Sequence, residues 1–87
     1  MSKTIKIIYY VDSDDNTKGS LMAYPSDKDL RDFNTIEEIA NTLVEANFGY
    51  KNNCESIAWE IAHIGCSETL CRMGKYEFGI EETELFE

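Results

Sequence analysis

The run of residues from Ile5 to Val11 constrains the fold more than any other feature of this chain. Four of its seven positions are β-branched and two are tyrosines, a composition typical of a strand with at least one buried face. The segment from Asp12 to Gly19 has turn chemistry, because its short polar side chains bond their own backbone. We therefore predict a hairpin in which Ser20 to Tyr24 forms the return strand and Pro25 ends it.

A first amphipathic helix is predicted after a charged connection from Ser26 to Phe33. Asn34 or Thr35 is the expected N-cap, with a glutamate three residues later, and Gly49 is the expected stop. The apolar positions recur at helical spacing, which indicates one buried face. They are Ile36, Ile39, Ala40, Leu43 and Val44.

A second helix is predicted from about Cys54, with Asn53 as its cap, and it carries two apolar stripes. A helix that is apolar on two sides is either enclosed or keeps one face for a partner, and the sequence does not decide which face is buried. The first stripe consists of Ile57, Ala58, Ile61 and Ile64, and the second of Trp59, Ala62, His63, Cys66 and Leu70.

The end of the chain is predicted to contain a short helix from Ser67 to Gly74 and a strand from Lys75 to Phe86. The alternation of apolar and polar residues in that strand breaks at Glu81 and Glu82, where a bulge or the end of the strand would fit. Residues 1–87 are therefore expected to form a single α+β domain. Its predicted architecture is a small three-stranded antiparallel sheet, in β-β-α-α-β order, packed against two helices.

Charge is distributed unevenly along the chain. All six aspartates lie at or before Asp32, where five cations nearly balance them, and all eleven glutamates lie at or after Glu37 with only three cations. The resulting net charge of −9 disfavours direct binding to nucleic acid or to an anionic membrane. No apolar run approaches the roughly 18 residues that span a bilayer, and the start does not resemble a signal peptide. Three cysteines suit a reducing compartment, so the cytoplasm is expected, or the host cytoplasm for a phage protein.

Three groups of residues are candidates for a metal site or a catalytic site, and the sequence favours none of them. Asp12, Asp14 and Asn16 match the start of a calcium loop, but the later glycine and glutamate positions do not follow, so a plain turn is predicted. The spacing of Cys66 and Cys71 lies at the loose edge of the range for a zinc knuckle, and Cys54 and His63 are over two helical turns apart. Small buried cysteines with a core histidine explain these four residues better. Nothing orients His63 and Cys66 as a catalytic dyad. No enzyme, cofactor or metal is predicted.

The acidic residues are the favoured candidate site. Alternate side chains on a strand repeat every ~6.8 Å, about twice the ~3.4 Å rise of phosphates along one DNA strand. A row of carboxylates on the last strand could therefore occupy a basic groove built for nucleic acid. The predicted contact residues are Glu77, Glu81, Glu82 and Glu84 on that strand, with Glu37, Glu38 and Glu45 on the first helix.

The segment from Leu21 to Asp27 resembles the Tyr-Pro-x-Asp segment of the colicin nuclease immunity proteins, which are small acidic inhibitors of basic nucleases. The resemblance covers under a quarter of the chain, and in that family the segment lies past mid-chain within a four-helix domain. It implies that Tyr24 and Asp27 contact a partner. In length and charge the chain is also similar to anti-CRISPR proteins and antirestriction DNA mimics.

Our hypothesis from the sequence is a non-enzymatic acidic inhibitor that binds the basic nucleic-acid site of another protein by charge mimicry. Carboxylates would speed association, while Tyr24, Trp59 or Phe86 would slow release. The alternative is an adaptor or homo-oligomeric structural protein that uses the apolar face of the second helix. A homodimer is compatible with both hypotheses.

Overall fold

The computed structural model describes residues 2–64 and 71–86. They form strands β1 (Ser2–Asp12) and β2 (Thr17–Pro25), helices α1 (Phe33–Glu45) and α2 (Lys51–Ile64), and strands β3 (Cys71–Met73) and β4 (Tyr76–Phe86). The strands make one antiparallel sheet in the order β2-β1-β4-β3. The predicted α+β class is confirmed, but the sheet has four strands, so the predicted three-stranded sheet in β-β-α-α-β order is wrong.

The fourth strand, β3, takes the place of the end of the predicted short helix. Positions 67–70 of that helix lie outside the described residues, whereas positions 71–73 pair with the beginning of β4. The two strands are joined at Gly74 and Lys75, and Gly74 adopts a positive φ of 63°. Three residues are too few to show an alternating pattern, so this strand forms through its pairing with β4 and has no periodic signal of its own.

Strand β1 lies inside the sheet and pairs along its whole length with β4 and from Ile5 to Asp12 with β2. The predicted hairpin of β1 and β2 is confirmed, and both strands are longer than expected because only residues 13–16 form the turn. A register shift opposite Ile8 and Tyr9 leaves Leu21 as an extra residue in β2. The bulge predicted at Glu81 and Glu82 is wrong, since β4 pairs with β1 without a shift.

Both helices begin earlier than predicted. The N-cap of α1 is Asp32, whose carboxylate accepts a hydrogen bond from the Thr35 N–H, so the expected caps Asn34 and Thr35 lie inside the first turn. The helix ends at Glu45, before the predicted stop at Gly49. Helix α2 begins at Lys51, three residues before the predicted start.

The core lies between one face of the sheet and the two helices. The described side chains of the first apolar stripe of α2, Ile57, Ala58 and Ile61, are buried, which decides the question that the sequence left open. Neither described helix is long and apolar enough to cross a membrane. The buried apolar residues are Ile8, Phe78 and Ile80 from the sheet, Leu30, Ile39, Ala40 and Leu43 from α1 and the segment before it, and Cys54, Ile57, Ala58, Ile61 and Ala62 from α2.

Candidate partner-binding surface

The layer formed by α1, α2 and their connection, residues 33–64 and here called the helix layer, exposes three large aromatic side chains. Phe33 begins α1 and is 77% exposed, Tyr50 precedes α2 and is 84% exposed, and Trp59 in the middle of α2 is 55% exposed. Aromatic rings at a surface cost solvation free energy, and proteins use such rings as anchors in interfaces. These three rings therefore mark the helix layer as a candidate contact surface.

A groove of about 290 Å³ runs between the two helices and joins two of these rings. Phe33 and Trp59 line it together with the apolar side chains of Ile36 and Ala40. Its polar lining consists of Glu37, Asn41, Lys51 and Glu55. The groove thus combines apolar side chains with polar side chains of net negative charge, and its volume lies near the lower end of the range typical of small-molecule pockets.

Trp59 is held in place by a neighbour on its own helix. The His63 imidazole stacks on the indole ring, with 3.9 Å between ring centroids and 19° between ring planes. The His63 Nδ1–H donates a hydrogen bond of 2.9 Å to the Trp59 carbonyl oxygen, one helical turn earlier. His63 is exposed, so the prediction of a core histidine is wrong; the second apolar stripe of α2 reaches the surface at these two residues.

The helix layer also carries five glutamates that form no ion pair with another described residue. Lys51 is the one lysine or arginine of this layer, so five glutamates against one lysine give the layer a net charge of −4 with histidine counted as neutral. Glu38 differs from the others because its carboxylate accepts a hydrogen bond of 2.5 Å from the Tyr24 hydroxyl. The five are Glu37, Glu38, Glu45, Glu55 and Glu60, and all are exposed.

The structure places the four predicted glutamates of β4 differently from those of the helices. Glu81 forms an ion pair of 2.9 Å with Lys18 of β2, and Glu77 forms one with Arg72 of β3. Both lie on the face of the sheet away from the helices. Glu82 and Glu84 have the opposite parity in the unbroken register with β1, where they lie opposite Lys6 and Thr4. The four carboxylates therefore do not form a single row.

Tyr24 and Asp27, the residues suggested by the immunity-protein resemblance, lie at the end of β2 and in the following turn. Tyr24 is half-buried, and burial together with the adjacent Glu38 carboxylate raises the pKa of its hydroxyl. It therefore remains a hydrogen-bond donor that links β2 to α1. Asp27 is exposed beside a depression whose lining includes Lys6, Lys28 and Arg31. The structure does not bring it together with the glutamates of β4.

Sequence reasoning missed Phe33 and Tyr50. Phe33 was assigned to the charged connection, and Tyr50 lies between the predicted helices, so neither belonged to an apolar stripe. The sequence contains a signal that could have identified them. An aromatic residue at a helix boundary and outside the apolar stripe has no predicted place in the core, so exposure is expected. The predicted anchor Trp59 is exposed, whereas the side chain of the third anchor, Phe86, lies outside what the structure describes.

The candidate metal ligands that belong to the described part of the chain have other roles in the structure. The Asp12 carboxylate accepts the Asp14 N–H at 2.9 Å and lies 3.3 Å from the Lys75 ammonium, so it belongs to a turn held by its own backbone and by the neighbouring hairpin. Cys54 is buried, and burial raises the pKa of its thiol. Cys66 and the Cys71 side chain lie outside the described part. No group of three or more potential metal ligands occurs among the described residues.

Comparisons of the chain with protein families, with characterised proteins and with solved structures find no match.

Proposed function

We propose that this protein binds a basic, nucleic-acid-binding surface of another protein through its helix layer and thereby excludes DNA or RNA. One observation supports this proposal above all: exposed aromatic rings occur on α1 and α2 together with carboxylates that form no ion pair with any described residue. A basic protein surface offers charge to the glutamates and aliphatic side-chain stems to the rings. The proposal is of a non-enzymatic inhibitor of a nuclease or another nucleic-acid-processing protein, of the anti-CRISPR or antirestriction type.

The two components of the surface have different physical tasks. The glutamates attract a basic partner over several ångströms, which raises the association rate and favours one orientation. The rings of Phe33 and Trp59 bury apolar area on contact, which slows dissociation. The stacking of His63 fixes the indole before binding, so less side-chain entropy is lost on association.

The helix layer is a better candidate for the contact than β4. Glu77 and Glu81 already have cationic partners within the chain, and a basic partner would have to compete with Lys18 and Arg72 for them. The glutamates of the helix layer have no such competition from other described residues. The sequence predicts a contact that combines the glutamates of β4 with Glu37, Glu38 and Glu45. A contact made through the glutamates of β4 is therefore the competing hypothesis in the experiment.

The experiment uses the immobilised full chain, over which lysate of its host is passed at low salt and then eluted with a salt gradient. A captured protein is tested for release by double-stranded DNA. Two variants that remove the same charge are compared: Glu37→Gln, Glu55→Gln and Glu60→Gln together, and Glu77→Gln, Glu81→Gln and Glu84→Gln together. We expect the first to elute at much lower salt and the second to behave almost as the wild type.

Three outcomes would contradict this proposal. If the β4 variant loses retention and the helix variant does not, the contact lies on the strand and not on the helix layer. If DNA fails to release the captured protein, the bound surface is not a nucleic-acid site. If no basic protein is captured at all, the acidic surface serves solubility alone.

The alternative of an adaptor or structural protein that uses the second apolar stripe of α2 is favoured by one observation, the exposure of Trp59 beside the groove. The dependence of partner binding on salt concentration distinguishes the two functions. Charge-driven binding weakens as ionic strength rises, whereas an apolar contact persists. Trp59→Ser abolishes the adaptor interaction at every salt concentration. For the inhibitor, the same change accelerates dissociation and leaves the steep salt dependence in place.

A further inference from the structure

The sheet has a second apolar region that is separate from the core. Ile5, Ile7, Tyr9 and Val11 alternate along β1 with the residues that face the helices, so they lie on the other side of the sheet, here called the open face. All four are partly buried, yet none belongs to the core or packs against it. An antiparallel sheet with one uncovered side usually presents polar residues there. This apolar stripe along an inner strand is therefore a surface that no other element among residues 2–64 and 71–86 covers.

The described charges of the open face cancel. Lys18 and Arg72 lie on it with Glu81 and Glu77, in the two ion pairs that cross the sheet. The Lys18 ammonium also lies 4.5 Å from the centre of the Tyr9 ring, so it reaches over the stripe. The remaining described side chains of this face are uncharged: Ser20, Ala23, Pro25 and Thr83. Because the chain has a net charge of −9, most surfaces of two copies repel each other. The open face, whose described charges cancel, can contact a second copy without that repulsion.

The edges of the sheet are unsuited to edge-to-edge pairing, in which a strand of a second copy extends the sheet. The extra residue Leu21 interrupts the regular register of the edge strand β2, and Pro25 ends it. The opposite edge, β3, is only three residues long. Bulges, prolines and short edge strands all oppose strand-by-strand addition of another chain. A second copy would therefore pack on the face of the sheet and not on its edge.

We propose that two copies of this chain pack open face against open face around a two-fold axis that runs along β1. The registers place Lys18, Val11 and Glu77 in one row across β2, β1 and β4. Rotation about an axis parallel to β1 and between the two sheets lays β2 of one copy over β4 of the other. Lys18 of each copy then lies opposite Glu77 of the second copy. The stripes of β1 then face each other, and the contact is the same on both sides.

This inference does not rest on the proposed function. The dimer leaves both helix layers on its outer surfaces, so each copy keeps its groove and its glutamates. If the proposed function also holds, the assembly presents two partner-binding surfaces that point in opposite directions.

Sedimentation equilibrium of the full chain over a concentration series tests the dimer. We expect the wild type to dimerise and the dimer to persist at high salt, and we expect Ile7→Glu to raise the dissociation constant about a hundredfold, because it places an unpaired charge in the contact. Trp59→Ser, on the helix layer, is the control and should leave the dissociation constant unchanged. Circular dichroism verifies that each variant is folded.

A charge exchange tests the axis without adding charge to the apolar stripe. Lys18→Glu and Glu77→Lys should each weaken self-association, because each variant places like charges opposite each other across the contact. An equimolar mixture of the two variants should form a heterodimer, since positions 18 and 77 then meet with opposite charges across the contact. A wild type that stays monomeric overturns the proposal, as does a dimer that survives Ile7→Glu or dissociates with Trp59→Ser. A mixture that does not associate overturns the proposed axis.

Discussion

At the scale of single residues, the contact between Tyr10 and Gly19 explains why a glycine occurs within β2. The two residues pair across the hairpin, and a Cβ atom at position 19 would lie 2.5 Å from the Cε1 atom of the Tyr10 ring. The ring cannot easily retreat, because it packs against Phe48 at 5.0 Å and Tyr76 at 6.1 Å between ring centroids. Glycine is required here for close approach and not for the turn that the sequence suggested.

We expect Gly19→Ala to lower the free energy of unfolding by about 1–3 kcal/mol, as overpacking does in well-packed regions. Urea denaturation followed by tyrosine and tryptophan fluorescence measures the change. Ser20→Ala, at the next and exposed position of β2, is the control and should change the stability by less than about 0.5 kcal/mol. If the two variants are equally stable, the Tyr10 ring moves without cost and the contact does not constrain position 19.

At the scale of elements, the start of α1 depends on a side chain that sequence reasoning passed over. Asp32, Asn34 and Thr35 all have the chemistry of an N-cap. Thr35 is only 4% exposed, and both its N–H and its hydroxyl donate to the Asp32 carboxylate, at 3.3 and 3.4 Å. The helix begins at Phe33 because a cap at Asp32 satisfies the polar groups of a buried residue, which a cap at Thr35 would not.

Replacement of the cap should therefore weaken α1 specifically. We expect Asp32→Ala to cost about 1 kcal/mol of stability, and we expect Asp32→Asn, which keeps an acceptor oxygen, to restore most of it. Asn34→Ala, at the cap position that the sequence favoured, is the matched control and should have little effect. Chemical denaturation measures all three variants, and a larger loss from Asn34→Ala would contradict the assignment of the cap.

At the scale of the whole molecule, charge is separated into layers. The helix layer carries a net charge of −4, whereas the described charges of the open face cancel in two ion pairs. Like charges crowded on one side destabilise a compact state by mutual repulsion, while exposed ion pairs contribute little to stability. The separation therefore supports a different role for each side of the protein, at a cost in intrinsic stability.

Screening of the glutamates by added salt should reveal how much their repulsion lowers the stability of the fold. We expect the free energy of unfolding to rise as salt is added up to about 0.15 M, where the screening length falls to about 8 Å. Removal of charge through Glu37→Gln, Glu55→Gln and Glu60→Gln together should flatten this dependence. Denaturation is measured at protein concentrations low enough to exclude self-association. A stability that falls with salt would mean that the ion pairs outweigh the repulsion.

Much of the fold was predictable from local patterns. The alternation and β-branched composition of β1 predict a strand, the spacing of Ile39 and Leu43 predicts a helix with one buried face, and Tyr76 to Ile80 alternate as a strand does. Each of these patterns is complete within a few neighbouring residues. The three residues of β3 carry no such pattern, and the bulge at Leu21 depends on how β2 pairs with β1, so both escaped prediction.

The sequence by itself determined the class of fold, the acidic character of the chain and the excess of apolar surface on α2. Only the tertiary structure decided which acidic side chains are available to a partner. Lys18 and Glu81 are 63 positions apart and meet because β1 brings β2 and β4 to its two sides. The exposure of Trp59 has a similar origin, because packing against the sheet uses the other stripe of α2. Charge and hydrophobicity are properties of residues, but exposure and pairing depend on which distant strands and helices come into contact.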